Sequence, residues 1–174
     1  MNDLQVDLSY SKNSGDFAVV ERILLGSFKE SVLVCESTEQ EDKKGIDYWV
    51  CLNEGNNVAV DLKLRRRDFC GNNAHDIALE VWSVIDIDTG QGVIKGWTLD
   101  ETKHTDYVLF LYSDTMRWHL FPFQLLRAAF ENNVNDWCRQ YKTATQNTGN
   151  KWASSCVFVP VVTVWRAMYN LSNG

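Results

Sequence analysis

The spacing of apolar residues predicts two long helices. An apolar stripe at helical spacing indicates a first helix from Asp16, a suitable N-cap residue, to about Glu30. A second helix is predicted from about Pro122 to Tyr141, because proline suits a first turn and apolar residues again recur along one side. The two stripes are Phe17, Val20, Leu24 and Phe28, and then Leu125, Leu126, Ala129, Phe130, Trp137 and Tyr141.

Extended patterns occupy most of the chain between and after these helices. Asn53 to Asn56 has the residues of a hairpin turn, and Pro160 indicates an edge strand or a strand-to-helix junction. The polar segments 37–45 and 143–150 are expected to be loops. Strands are predicted at 32–36, 46–52, 57–66, 78–85, 92–100, 105–114 and 116–123, with a further strand and a short terminal helix within 154–168.

This order predicts an α/β fold with a mixed central sheet, flanked by the N-terminal helix and the later long helix. A chain of 174 residues, 45% of them hydrophobic, suits one core, so we expect a single domain spanning 1–174. The five cysteines include no CxxC pair, which argues against a disulfide framework and a structural zinc site.

The sequence shows no signal for a membrane or for export. No apolar run approaches the roughly 18 residues that span a bilayer, and the first residues, MNDLQVDLSYSKN, lack the basic start and apolar centre of a signal peptide. We expect a cytoplasmic protein of a bacterial or phage-infected host cell that has no membrane partner.

The formal net charge of −6 disfavours a general coat of nucleic acid. An enzyme acting on nucleic acid would therefore need its positive charge concentrated locally, and the dense basic cluster is Arg65 to Arg67. Arg65 and Arg67 share one face of the predicted strand and are candidates for phosphate contacts. A solvated strand end paired with Asp68 explains the same residues equally well.

Two charged residues interrupt an apolar strand next to this cluster. Asp61 and Lys63 share one face of the predicted strand, whereas Val58, Val60, Leu62 and Leu64 share the other. The hairpin can bring Asp47, on the neighbouring strand, close to Asp61. Converging carboxylates suit a hard cation such as Mg²⁺, and a lysine beside them could stabilise a phosphate.

Two further acids are candidates for the same site, and each also has a structural explanation. Glu21 lies on the apolar stripe of the first helix, where a carboxylate is costly to bury without a cation, but it can also lie at the stripe's boundary. Glu80 shares a strand face with Trp82 and can approach the site or form a surface ion pair. Asp61 and Lys63 can likewise be a plain ion pair on a solvent-facing strand.

The order of these residues resembles the PD-(D/E)XK nuclease superfamily. Glu21 on the first helix, Ile46-Asp47 in place of Pro-Asp, and Asp61-Leu62-Lys63 as the (D/E)XK motif carry the likeness. Residues 78–83, ALEVWS, followed by KGW and TDYVLFLY, are similar to small phage and bacterial nuclease-like proteins of this superfamily. The Gln-x-x-x-Tyr motif of its exonucleases does not follow.

The resemblance implies a restriction-endonuclease-like fold and a metal-dependent nuclease that hydrolyses phosphodiester bonds, DNA ahead of RNA. Asp47 and Asp61 would ligate Mg²⁺ or Mn²⁺, with Glu80 as a further metal ligand, Lys63 as the catalytic lysine and Glu21 as the helical acidic residue. Dimers are common in the superfamily, so the resemblance is compatible with a homodimer, but the sequence identifies no self-complementary patch. The alternative is a non-catalytic acidic protein on the same fold, which mimics nucleic acid and binds or inhibits a host protein.

Overall fold

The computed structural model describes residues 14–65, 76–147 and 151–173, and these form four helices and nine strands. The helices are α1 (Ser14–Ser27), α2 (Glu39–Asp42), α3 (Phe123–Gln140) and α4 (Val161–Ser172). The strands are β1 (Ser31–Glu36), β2 (Tyr48–Leu52), β3 (Asn57–Arg65), β4 (Asp76–Asp86), β5 (Gly92–Lys95), β6 (Tyr107–Tyr112), β7 (Arg117–Pro122), β8 (Thr143–Asn147) and β9 (Trp152–Pro160).

Five strands form a mixed sheet in the order β1-β2-β3-β6-β7. β3 and β6 run parallel, and the other neighbours run antiparallel. Because parallel strands cannot be joined by a tight turn, the chain leaves the sheet after β3 and returns at β6. The intervening residues include β4 and β5.

The remaining strands form a second, antiparallel sheet in the order β5-β4-β9-β8. The mixed sheet flanked by helices agrees with the prediction, whereas this second sheet was not predicted. The apolar residues Ile77 and Leu79 of β4 and Val157 and Val159 of β9 are fully buried in a core that they share with the five-stranded sheet. These strands thus pack onto the first sheet instead of extending it.

Two cores lie on opposite faces of the five-stranded sheet. On one face, α1 buries Val20 and Leu24 against residues of β2, β3 and β6. On the other face, the second sheet and helices α3 and α4 pack over Phe110 and Phe121. The chain is therefore mixed α/β, with the five-stranded sheet between two apolar layers.

Several element boundaries differ from the predicted ones. Thr143–Asn147, predicted as a loop, is the strand β8, because its backbone pairs with β9 from Val157 to Ala153. The predicted strand 92–100 is limited to Gly92–Lys95, and the charged loop 37–45 contains the short helix α2. Pro160 lies at a strand-to-helix junction, as one of its two interpretations predicted.

Among the described residues, none of the helices combines the length and the apolar composition that a membrane span requires.

Candidate active site

The hairpin of β2 and β3 sets two aspartates opposite each other. Tyr48 pairs with Val60 in the antiparallel register, and Asp47, the residue before Tyr48, lies near Asp61, the residue after Val60. The Asp47 N–H donates to the Val60 carbonyl at 2.9 Å and continues the ladder by one residue. In the turn that joins the strands, Gly55 adopts a φ of +79°, a conformation that glycine tolerates without strain. The predicted approach of Asp47 to Asp61 is confirmed.

The two faces of β3 divide as the alternation predicted. Val58, Val60, Leu62 and Leu64 belong to the core beneath α1. Asp61 and Lys63 lie beside Val108 and Phe110 of β6, on the face toward the second core. Asp61 is only 3% exposed, so this face is covered and the charges are not a solvated surface pair.

Asp47 and Asp61, the aspartate pair, interact directly. The Leu62 N–H donates to Asp47 Oδ2 at 2.6 Å, and the Asp61 carboxylate lies close enough to Asp47 to act on its charge. Burial, and next the charge of Asp61, raise the pKa of Asp47 from 3.8 to about 7, although the Leu62 N–H and Lys63 act in the opposite direction. The pair therefore holds a proton near neutral pH.

Lys63 completes the cluster on the same face. Its ammonium lies 2.8 Å from Asp61 Oδ1 and 4.9 Å from the centre of the Trp97 ring. The lysine side chain is 21% exposed, compared with 4% for that of Asp61. Because Asp47 is also only half-buried, the site meets solvent at Asp47 and Lys63 and is closed at Asp61.

The contact of Lys63 with Trp97 was not predicted from the sequence. Trp97 follows β5, and its ring packs against Phe110 and Phe123 with centroids 6.0 and 6.3 Å apart. Its backbone N–H donates to Glu80 Oε2 at 2.9 Å, and the Ser83 hydroxyl donates to the same oxygen at 2.6 Å. In the sequence, Gly96 and Trp97 directly after a short strand are the signal for the turn that carries this tryptophan.

The structure does not bring Glu80 and Glu21 to the aspartate pair. Glu80 lies on β4 of the second sheet, where Ser83 and Trp97 occupy its carboxylate. Glu21 lies half-buried on α1, which covers the opposite face of the five-stranded sheet from Asp61. Within the described ranges, no three Asp, Glu, His or Cys residues converge to hold a metal ion.

Of the two arginines that were predicted to contact phosphate, only Arg65 belongs to the described residues. Arg65 ends β3 on the same side as Lys63, is exposed, and donates from Nη1 to the carbonyl of Leu64 at 3.3 Å. Burial raises the pKa of the Cys156 thiol on β9, and Arg65 lies close enough to oppose this rise. Arg67 lies outside the described residues.

Asp106 offers a structural counterpart to Asp47 on the other side of β3. It directly precedes β6, and its Oδ2 accepts the Ala59 N–H at 2.9 Å while its own N–H donates to the Ala59 carbonyl at 2.9 Å. Both aspartates therefore extend a ladder next to β3. Only Asp47 also meets a second carboxylate and a lysine, so the backbone role alone does not account for the cluster.

Two grooves of about 330 Å³ lie elsewhere on the described surface. One, between α3 and α4, includes Trp137 and Arg166, and the other, between α1 and β7, includes Arg22 and Trp118. Neither contains the aspartate pair.

No family model, curated protein or solved structure matches this chain. The likeness to the nuclease superfamily consequently rests on the residues themselves and on their order, and the family is not established by comparison.

Proposed function

We propose that the protein is a metal-dependent nuclease that hydrolyses phosphodiester bonds, with DNA as the substrate that the resemblance favours. The observation that carries the proposal is the convergence of Asp47, buried Asp61 and Lys63 on one face of the β2–β3 hairpin. A perturbed carboxyl pKa beside a specific charged partner is typical of functional sites. Ion-paired structural networks share this property, so the experiment below includes a structural control.

The aspartate pair suits a hard divalent cation. The two carboxyl groups supply oxygen donors only, and the charge of Asp61 beside Asp47 contributes to the raised pKa of Asp47. A cation of the Mg²⁺ type prefers one or two carboxylates and completes its shell with water and phosphate oxygens, so two aspartates are sufficient. Such an ion would lower the pKa of a bound water and neutralise charge on the phosphate.

The protein's own residues would hold the reacting groups in place. The Leu62 N–H fixes Asp47, and Lys63 fixes Asp61 on its Oδ1 side. Lys63, the more exposed partner of the ion pair, can turn its ammonium toward a phosphate oxygen as negative charge develops there. Arg65, farther along the same strand face, can contact a neighbouring phosphate of the polymer.

The first test is cleavage of labelled single-stranded, duplex and branched DNA, and of RNA, in Mg²⁺, Mn²⁺ or EDTA. Asp61→Asn should abolish cutting, because it removes the charge of the pair while keeping its shape. Asp106→Asn is the matched control, because it makes the same substitution at an aspartate that also borders β3. The proposal requires metal-dependent cutting in wild type and in Asp106→Asn, and no cutting in Asp61→Asn.

A folded wild-type protein that cuts none of these substrates would overturn the nuclease proposal. Equal cutting by wild type and Asp61→Asn would overturn the assignment of the active site, because the activity would then lie elsewhere. Absence of cutting would favour the acidic interaction protein, whose net charge of −6 suits a basic groove on a partner. Binding to a host protein that survives Asp61→Asn would support that function.

A further inference from the structure

Lys63 is held between two groups that come from different parts of the chain. Asp61 of the same strand binds its ammonium on one side, and the Trp97 ring lies 4.9 Å from it on another. Tryptophan attracts cations to its ring face more strongly than phenylalanine or tyrosine does. The place of the ammonium therefore depends on where the Trp97 ring sits.

Trp97 is in turn anchored to the second sheet by Glu80. One carboxylate oxygen, Oε2, accepts both the Trp97 N–H and the Ser83 hydroxyl. The preceding residue, Gly96, donates its N–H to the Val81 carbonyl at 2.9 Å. A methyl group on Gly96 would overlap the Glu80 carbonyl, so the turn lies directly against β4.

We propose that Glu80 is a positioning residue, which acts through Trp97 to hold the Lys63 ammonium against Asp61. The contacts Glu80 to Trp97 to Lys63 connect the four-stranded sheet to the charged cluster of the five-stranded sheet. This role replaces the predicted one of Glu80 as a metal ligand. The contacts from Glu80 to Trp97 and from Trp97 to Lys63 are observed independently of any activity, whereas their consequence for catalysis rests on the proposed function.

Nuclear magnetic resonance tests the contact chain without any activity. The Trp97 ring current should shift the ε-methylene resonances of Lys63 upfield of those of other lysines, and Lys63→Arg assigns the signal by removing it. Trp97→Leu and Glu80→Ala should both return the Lys63 signal to the ordinary lysine position. Glu80→Gln should keep it upfield, because its one amide oxygen can accept both hydrogen bonds that Oε2 accepts now.

Two results would overturn the positioning role. One is an unshifted Lys63 signal in the wild-type protein, which requires no variant and so does not depend on whether Glu80→Ala folds. The other is a Lys63 signal that stays upfield in folded Glu80→Ala. Glu80→Asp, which withdraws the carboxylate by one methylene, gives the same test if Glu80→Ala does not fold.

The effect on cleavage separates the two proposals. If both hold, Glu80→Ala should lower kcat on the order of ten-fold to a hundred-fold with little change in KM, because a misplaced lysine weakens transition-state contacts. Glu80→Gln should recover most of that loss, which a metal-binding carboxylate would not allow. If wild type does not cut, but the Lys63 signal responds as expected, the nuclease proposal fails and the positioning role stands.

Discussion

At the scale of single residues, Asp47 carries its negative charge in an unfavourable place. Burial and the neighbouring Asp61 raise its pKa to about 7, well above the value it has in an unfolded chain. The folded protein consequently holds a proton that the unfolded chain releases near pH 4. Between these two pH values, the contribution of Asp47 to stability falls as pH rises, because the unfolded state binds fewer protons.

Asp47→Asn should therefore stabilise the protein at pH 8 while it impairs cleavage. The gain in the free energy of unfolding should be roughly 2 to 4 kcal/mol at pH 8 and should shrink toward zero near pH 4. Urea unfolding of wild type and variant between pH 4 and pH 8 measures this difference. A difference that stays constant with pH would show that Asp47 does not titrate in this range.

Substitution of Asp61 should instead lower the free energy of unfolding, because Asp61 accepts a hydrogen bond from a largely buried lysine. Asp61→Ala leaves the Lys63 ammonium with the Trp97 ring but without its carboxylate, 2.8 Å away in the native pair. Removal of one partner of a buried pair typically costs about 3 kcal/mol or more. Chemical unfolding checks this loss, and Lys63→Met added to Asp61→Ala should restore part of it. No recovery in the double variant would assign the loss to packing.

The sequence could predict Asp47, Asp61 and Lys63 because their meeting depends on one hairpin and on strand alternation. It could not predict the Trp97 contact, because Trp97 reaches Lys63 only through the packing of two sheets. The same packing engages Glu80 at Trp97 and keeps it from the aspartate pair. Local periodicity contains no information about which residues of separate sheets meet.

At the scale of elements, β3 is bordered by an acidic residue at the start of each neighbouring strand. Asp47 accepts the Leu62 N–H on one side, and Asp106 accepts the Ala59 N–H on the other. Each carboxylate accepts a hydrogen bond from a backbone N–H of β3 that lies beyond the end of the neighbouring strand. The central position of β3 is thus fixed by both flanking elements.

Asp106→Ala isolates this structural role from the proposed chemistry. Loss of one hydrogen bond to a carboxylate should lower the free energy of unfolding by about 1 to 2 kcal/mol. Cleavage per folded molecule should stay at the wild-type level, because Asp106 does not contact the aspartate pair. Parallel measurements of urea unfolding and of cleavage at a temperature well below the transition check both statements. Loss of cleavage by a fully folded variant would contradict this separation.

Element types were easier to predict than the pairing of elements. The long helix α3 begins and ends within one residue of the range 122–141, because its apolar stripe and the proline directly before its first residue are both local signals. β8 was missed because its polar residues carry no apolar alternation, and its strand is defined by backbone pairing with β9. Such edge strands are visible only once the partner strand is placed.

At the scale of the whole molecule, the net charge of −6 attracts divalent cations diffusely as well as at any specific site. Diffuse attraction is screened over about 8 Å at 0.15 M salt, whereas a cation bound by two carboxylates is screened much less. The stabilisation by added metal, measured at this ionic strength, therefore distinguishes a specific metal site from the diffuse attraction of cations to an acidic protein.

Mg²⁺ or Mn²⁺ should raise the melting temperature of the wild-type protein at pH 8 and 0.15 M salt. Binding to the folded state alone stabilises by about 2.7 kcal/mol at a free concentration one hundred times Kd. The double variant Asp47→Asn/Asp61→Asn should lose this response, while Asp106→Asn should keep it. Thermal unfolding over a metal titration, with each variant compared with its own metal-free sample, gives the measurement. An equal rise in all three proteins would assign the effect to the general charge, and the aspartate pair would then not be the metal site.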